Sequence, residues 1–587
     1  MGPGESQEHA ERSGGAVGRP GGIAPSTAGS LEPGELALGA SFVGLALLLR
    51  VACAFLFRVD SDEPQHLHVT WGWAHGLLPY RDFFDNHTPL FHLLCAPLLR
   101  AVGEGPGTLV AMRLAMIPLF LVCIVALGVL GRRLYSARVG LWAAVLTALL
   151  PPFFLGSLEF RTDDLWAAFW LLALVAGIRR GRTRGSSFAA GLFLGAAASV
   201  SLKTVLMAGA LLGAGILVAV RRARRGEPLH PRAQLSHLGA LLAGTAILPL
   251  VIVLYFVARG AGPALLQDVV RHNVLPGLGS RKALAWRHLA FVGAPPLAWL
   301  LAAALERGAP DADTGTCRSF LGGTAFFYGA ILFAFWPIRE AQDWLPVAPL
   351  AVLLATPALL AAAARLPRPV RGLRAPVRAA AALALVEAVL VVLAPGLRQD
   401  SPARQAELVR EVLRLTRPGE TVVDLKGETE FRPRASWYVL EKITRRRMRR
   451  GLLQDDIPER LVANATTVAV PDRHLFPPRT RAFLNANFVP TGVVRVAGRW
   501  LDPAQAGADG AIHFQIAIPA SYRVVSPDGP VAGRLDGAPC VGPRRLEPGE
   551  HVFVPAPGAA TGKRLAVVWA RALDRGFSPF APDGSRG

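Results

Sequence analysis

The chain has 587 residues, 52% of them hydrophobic and 18% charged, with 63 basic against 42 acidic side chains and a mean hydropathy of +0.36. An ordinary soluble domain is roughly a quarter charged, so a wholly soluble enzyme, a disordered chain and a collagen-like chain are excluded. The net charge of +21 does not indicate a nucleic-acid partner: only five basic residues are Lys, and the Arg residues cluster in short loops between apolar runs, where membrane topology puts them.

Residues 1–35 are rich in Gly, Pro, Ser and Glu and read as a disordered cytoplasmic tail. From Leu36 to Pro395, runs of Leu, Ala and Val recur that are long enough to cross a bilayer. They give eleven spans: 36–57, 108–130, 139–156, 164–178, 187–202, 204–220, 236–258, 286–305, 319–336, 344–364 and 377–395. The stretch 89–103 is apolar but short and reads as a helix on the membrane surface. With the N-terminus in the cytoplasm, loops 131–139, 179–185, 221–234, 306–318 and 365–378 lie inside and hold 19 Arg. The opposite loops, 58–107, 157–163, 203, 259–285 and 337–343, hold 10 basic residues at roughly a third of the density, as the positive-inside rule requires.

An odd number of spans places 396–587 outside, in a periplasm-like space. That segment alternates short apolar stretches, at 421–424, 467–470 and 512–518, with Gly and Pro turns, a strand pattern; 403–416 and 434–446 read as helices. The fold expected is an all-α polytopic membrane bundle of about eleven transmembrane helices, 36–395, with a C-terminal soluble mixed α/β or β-sandwich domain. The five cysteines form no CxxC pair, which supports neither a disulfide framework nor a thiolate metal site.

Polar groups in outside loops at the bilayer are functional candidates, because charge near lipid is costly. The first outside loop, 58–107, is the densest: Arg58-Val59-Asp60-Ser61-Asp62-Glu63-Pro64-Gln65-His66-Leu67-His68, then Trp71 and Trp73, then Pro79-Tyr80-Arg81-Asp82-Phe83-Phe84-Asp85-Asn86-His87-Thr88-Pro89-Leu90. Asp62 stands where a helix N-cap belongs, with Pro64 in the first turn, and the Trp and His residues suit a helix along the membrane surface. The pairs His66/His68 and His87/His92 have a spacing that only weakly suggests a metal.

An Asp-Glu pair after the first span, a surface helix, then Gly-x-x-Pro-Tyr-x-Asp and Pro-Leu resembles the GT-C superfamily of membrane glycosyltransferases. Within it, the resemblance is to the protein O-mannosyltransferases, which use dolichyl-phosphate-mannose, and to the lipid A aminoarabinose transferases. Glu159-Phe160-Arg161-Thr162-Asp163-Asp164-Leu165 resembles the second outside loop of that group, and Ser201-Leu202-Lys203-Thr204 its Thr-Lys turn. Arg339-Glu340-Ala341-Gln342-Asp343-Trp344-Leu345-Pro346 resembles its late outside loop, with Trp344 in place of the usual Tyr. The resemblance spans about 40–365 and implies transfer of a sugar from a polyprenyl-phosphate donor, with inversion, on the outer face of a bacterial inner membrane. It implies Asp62 as general base with Glu63 as helper or orienter, Asp60 being the alternative base. Lys203, Arg339 and Arg161 would hold the donor phosphate. Asp163, Tyr80, Asp82, Asp85 and His87 would shape the acceptor pocket. No cofactor is required on this reading, although some members of the group use a divalent cation. The partners implied are the lipid-linked donor, membrane lipids and a lipopolysaccharide, polysaccharide or protein acceptor, and no nucleic acid. A transporter or flippase of a lipid-linked sugar and a non-catalytic glycan-binding membrane protein are the competing readings; transporters usually show repeated halves and mid-membrane polar groups, and neither is visible here.

Overall fold

The computed structural model describes residues 31–179, 181–228, 231–274, 294–305, 309–336, 340–365, 374–399, 401–471, 474–502, 506–559 and 563–580. Every apolar stretch read as a span is helical where it is described. Six helices have the length and hydropathy to cross a membrane: Pro33–Leu56, Thr108–Leu134, Thr204–Arg224, Pro231–Ala258, Ala312–Ala334 and Ala375–Arg398. The other five stretches hold shorter helices among the described residues, 286–293 lying outside them. Proline explains one of them: 139–156 is split into α6 (Ala137–Leu149) and α7 (Pro151–Gly156) at Pro151, whose ring cannot continue a helix interior. The stretch 89–103 forms α3 (Leu90–Val102), a 13-residue helix.

Side-chain contacts sort the loops into two ends. At one end Arg138 pairs with Glu35 at 2.8 Å, Arg374 with Glu32 at 2.6 Å, Arg221 donates to Ser319 Oγ at 2.8 Å and Arg318 to the Leu134 carbonyl at 2.9 Å. These are the loops assigned inside. At the other end the loops at 58–63, 159–163, 203 and 343 meet. The tail is shorter than expected from composition: α1 (Pro33–Leu56) starts at Pro33, and Glu35 is buried against Arg138 and Trp142.

The bundle packs closely where small residues face each other. In α9 (Arg184–Val200) and α11 (Pro231–Ala258), a Cβ at Gly191, Gly195 or Gly244 would run into the carbonyl oxygens of Leu241, Thr245 or Phe188. Glycine there lets the two backbones touch, as small residues do between membrane helices.

The C-terminal residues form a domain with its own core, built around Val468, Val496, Phe553 and Val567. Its main sheet runs β1 (Val422–Val423), β2 (Val468–Ala469), β4 (Arg495–Leu501), β12 (Leu565–Trp569), β6 (Ala520–Ser526), β10 (Arg544–Leu546), with two further short strands at its side. The β1–β2 pair is parallel and the rest antiparallel. A second, four-stranded sheet holds 512–516 and 549–555. The expected helix at 403–416 is present as Ser401–Leu415, but that at 434–446 is confined to Lys442–Arg449. The Arg434 guanidinium is bound to Asp424 and to the carbonyls of Leu425 and Tyr438, which holds 434–441 as a loop.

Candidate active site

The first outside loop is fixed from below by one buried ion pair. Glu63 has no exposed surface and accepts from Arg113 Nε at 2.7 Å and Nη2 at 2.5 Å. Arg113 also donates to the carbonyls of Ala54, Phe57 and Arg58. The remaining acceptor capacity of Glu63 is taken by the backbone N–H groups of Phe160 and Asp60, at 2.9 and 3.0 Å. It therefore ties α1, the first loop, the segment Thr108–Leu114 and the second outside loop together. Glu63 is thereby turned away from solvent.

Asp62 lies on the other side of that turn. It is the first residue of α2 (Asp62–Ala74), one place beyond the N-cap position the sequence suggested; Ser61 precedes it and makes no side-chain cap. Asp60 does the capping instead, accepting from the Asp62 N–H at 3.1 Å. The Asp62 carboxylate is about a third exposed and sits between Arg161 Nη1 at 3.0 Å and Lys426 Nζ at 2.5 Å. Burial alone would push its pKa up; Arg161 and Lys426 outweigh that and hold the carboxyl well below its ordinary range. Asp62 is thus ionised at any physiological pH.

Arg161 is the hub. The same Nη1 lies 2.7 Å from Asp60, and Nε lies 3.2 Å from Asp163. Asp163 passes the network on to Lys203 Nζ at 3.2 Å, and Lys203 reaches Asp343 at 2.6 Å. Its ammonium also stands 5.8 Å from the Trp166 ring. Burial disfavours charge on Lys203, but Asp163 and Asp343 more than reverse this and raise its pKa. Arg58 closes the lower edge, at 3.0 Å from Asp60 and 3.2 Å from Glu159. Glu159 is buried with Glu63 nearby, and its pKa is raised.

A second cluster adjoins the first. His66 Nδ1 is 2.9 Å from His92 Nε2, and His87 Nδ1 is 2.8 Å from Asp85. Asp85 is fully buried, while His87 keeps about a third of its side chain exposed. Burial first, then the neighbouring His87 and His92, pushes the His66 pKa far down, so His66 is neutral. Tyr80 has a left-handed backbone, φ 69°, and its hydroxyl donates to the His87 carbonyl at 2.6 Å. Tyr80 thereby shapes the loop from within the protein, its side chain being buried. Asp82 is spent on its own turn, accepting from the Leu78 N–H at 2.7 Å and pairing with Arg81. Among the described residues no group of three or more His, Cys, Asp or Glu is arranged to hold a metal ion.

Of the residues singled out in the sequence, Asp60, Asp62, Arg161, Asp163 and Lys203 are brought into one network, with Asp85 and His87 beside it. Arg339 lies outside the described residues. Sequence reasoning missed Asp343, which stands inside the late-loop motif, and Lys426, one of only five lysines in the chain. It also placed α2 along the membrane surface. In the structure Glu63 through Trp73 are buried: α3 lies along the helix, Val69 and Trp73 pack with Ala96 and Phe256, and the C-terminal domain adds a contact where the Glu430 carbonyl meets His68 Nδ1 at 3.0 Å.

Residues 86–256 match the family model of the dolichyl-phosphate-mannose-protein mannosyltransferases; the match takes in Arg161, Asp163 and Lys203 and begins after Asp62. Among solved structures, ArnT from Cupriavidus metallidurans in the apo state is similar at 15% identity and a TM-score of 0.56, over 79% of this chain and 98% of that one. The same protein bound to undecaprenyl phosphate is similar at 15% identity and a TM-score of 0.53, over 78% of this chain and 97% of that one. The apo oligosaccharyltransferase of Archaeoglobus fulgidus is similar at 13% identity and a TM-score of 0.45, over 89% of this chain and 76% of that one. No curated protein matches the chain. The likeness lies in a family model over part of the chain and in the fold: this is a multi-pass membrane chain, with six helices among the described residues long and apolar enough to cross a membrane, an ArnT-like bundle and a C-terminal β-rich domain.

Proposed function

We propose that this chain is an inverting membrane glycosyltransferase. It moves a sugar from a polyprenyl-phosphate donor to an acceptor in the cell envelope, on the outer face of a bacterial inner membrane with its N-terminus in the cytoplasm. The observation that carries this reading is the Asp62 carboxylate: ionised, about a third exposed and paired with Arg161, which leads through Asp163 and Lys203 to Asp343 of the late loop. The bound undecaprenyl phosphate of ArnT supports a lipid phosphate as the donor's anchor.

In the reaction the acceptor oxygen bonds to the anomeric carbon as the bond from that carbon to the phosphate oxygen breaks. The acceptor hydroxyl gives its proton to Asp62, which acts as general base. The lipid leaves as its phosphate monoester, keeping the electron pair of the broken bond. A single displacement of this kind inverts the sugar carbon. Arg161 and Lys203, with Arg339, supply the fixed positive charge that the departing phosphate needs. Asp163 holds Arg161 and Lys203 in register. Glu63 orients the loop that carries Asp62. His87 faces the acceptor, Asp85 and Tyr80 hold it from within the protein, and Asp82 braces the rim of that pocket.

The test is lipid mass spectrometry on membranes of the native host, comparing wild type with Asp62→Asn and a deletion. Both mutants should accumulate one polyprenyl-phosphate sugar and lose one glycan product. A deletion that changes the glycans while Asp62→Asn at equal expression matches wild type would remove Asp62 from the base role and bring Asp60 forward.

A further inference from the structure

Among the described residues, the cations around Asp62 each already face a carboxylate. Arg58 serves Asp60, Arg113 serves Glu63, Lys203 is divided between Asp163 and Asp343, and Arg161 bridges Asp60, Asp62 and Asp163. Lys426 alone comes from the C-terminal domain, and Asp62 is its only carboxylate partner among the ion pairs of the described residues. It is largely covered, and its ammonium also touches Ser61 Oγ at 3.0 Å.

The loop that delivers Lys426 is built to hold a position. Glu428 accepts from the N–H groups of Leu425 and Lys426 at 2.9 and 2.8 Å. Asp424 accepts from Gly427 N–H and Thr429 Oγ1 and is clamped by Arg434 at 2.7 Å. Gly427 has φ 115°, and a Cβ there would stand 2.8 Å from His68 Cβ. Only glycine allows both that backbone and so close an approach to α2.

We propose that Lys426 is a catalytic cation shared between Asp62 and the leaving phosphate, so that the C-terminal domain completes the active site. This rests on the glycosyltransferase reading above. A lipid-phosphate-sugar donor is a phosphodiester with about one negative charge; the departing monoester gains a second. In the same step Asp62 takes the acceptor proton and loses its charge. Lys426 loses its anionic partner at the moment the phosphate gains charge, and a small movement of its flexible stem transfers the ion pair. The local net charge stays constant, and the cation arrives where transition-state charge develops.

The test uses the full chain in lipid nanodiscs with undecaprenyl phosphate as the probe. Asp62→Asn stands in for the protonated carboxyl and should bind the probe about tenfold more tightly than wild type. That is the low end for one charge-assisted hydrogen bond to an anion. Lys426→Met should bind about tenfold more weakly, and Asp62→Asn/Lys426→Met should lose the gain of Asp62→Asn. Lys426→Arg, which keeps the charge, should stay near wild type and rescue transfer. In Lys426→Met the acid limb of kcat/KM should move to higher pH, because Asp62 has lost a cation; a purely structural strap would leave it in place. Gly427→Val, which lifts the loop off α2 without removing the lysine, should reproduce the Lys426→Met profile. Wild type that transfers sugar while Asp62→Asn shows no gain, or keeps its gain in the double variant, overturns the proposal. Wild type that neither binds the probe nor transfers sugar overturns the glycosyltransferase reading itself.

Discussion

Asp62 and Glu63 are adjacent carboxylates with opposite environments, and that difference predicts opposite mutant phenotypes. Glu63→Gln keeps shape and removes a charge that is fully buried against Arg113 at 2.5 and 2.7 Å. It leaves the Arg113 guanidinium buried without a counter-charge, at a cost of about 3–5 kcal/mol. Asp62→Asn removes a charge that is about a third exposed; discounted for solvent, its ion pairs are worth no more than about 1 kcal/mol to stability. As a base, however, Asp62 accounts for about 10²–10⁴ in rate. Purified variants should therefore separate in two assays. Glu63→Gln should unfold at clearly lower temperature, with any surviving folded fraction retaining transfer. Asp62→Asn should melt close to wild type and transfer sugar about 10²–10⁴-fold more slowly. Glu63→Gln that melts like wild type yet loses rate as Asp62→Asn does would refute the division of labour and put Glu63 in the chemistry.

Lys203→Met takes the ion-pair partner of buried Asp343 and leaves buried Asp163 with Arg161 alone, and should both destabilise the chain and raise the donor KM about tenfold or more; Lys203→Arg should restore stability first, which thermal unfolding and initial rates on one preparation would reveal. Glu430 is buried beside Gln405, and burial pushes its carboxyl up to about 8. Its folded pKa exceeds the unfolded one, so its contribution to stability is whole below about 4.5 and declines as pH rises to about 8, by at most about 5 kcal/mol. Wild type should lose melting temperature between pH 5 and pH 8.5, and Glu430→Gln should flatten that slope. Gly244→Val should force α9 and α11 apart at a cost of about 1–3 kcal/mol, read as a lower unfolding temperature in detergent.

Much of the bundle is legible in the sequence because a bilayer imposes simple rules. Apolar length marks helices, and Arg density separates the two ends: the structure gathers 58–63, 159–163, 203 and 343 at one end and 35, 138, 221 and 374 at the other. What the sequence could not give is where helices break. The Pro151 break shortens α6 through backbone geometry, and the Arg434 side chain overrides helix propensity at 434–441 through bonds to residues brought near only by folding.

The site shows the same limit in sharper form. Asp62, Arg161, Asp163 and Lys203 were readable because they sit in loops whose spacing from the spans is fixed. Lys426 follows Asp62 by 364 residues, and nothing local marks it except the scarcity of lysine. Its meaning appears only when the C-terminal domain is seated on α2, with Gly427 against His68 and the Glu430 carbonyl on His68 Nδ1. That seating has a consequence for how the domain should be thought of. A domain that only selected acceptors could hang from the bundle by a linker. One that places an ammonium 2.5 Å from Asp62 must keep its position to within a fraction of that distance. The contacts of Arg432 with Glu104 and of Glu441 with His272 supply that rigidity. Substitutions at this seam, far from any sugar, should therefore lower kcat as well as stability.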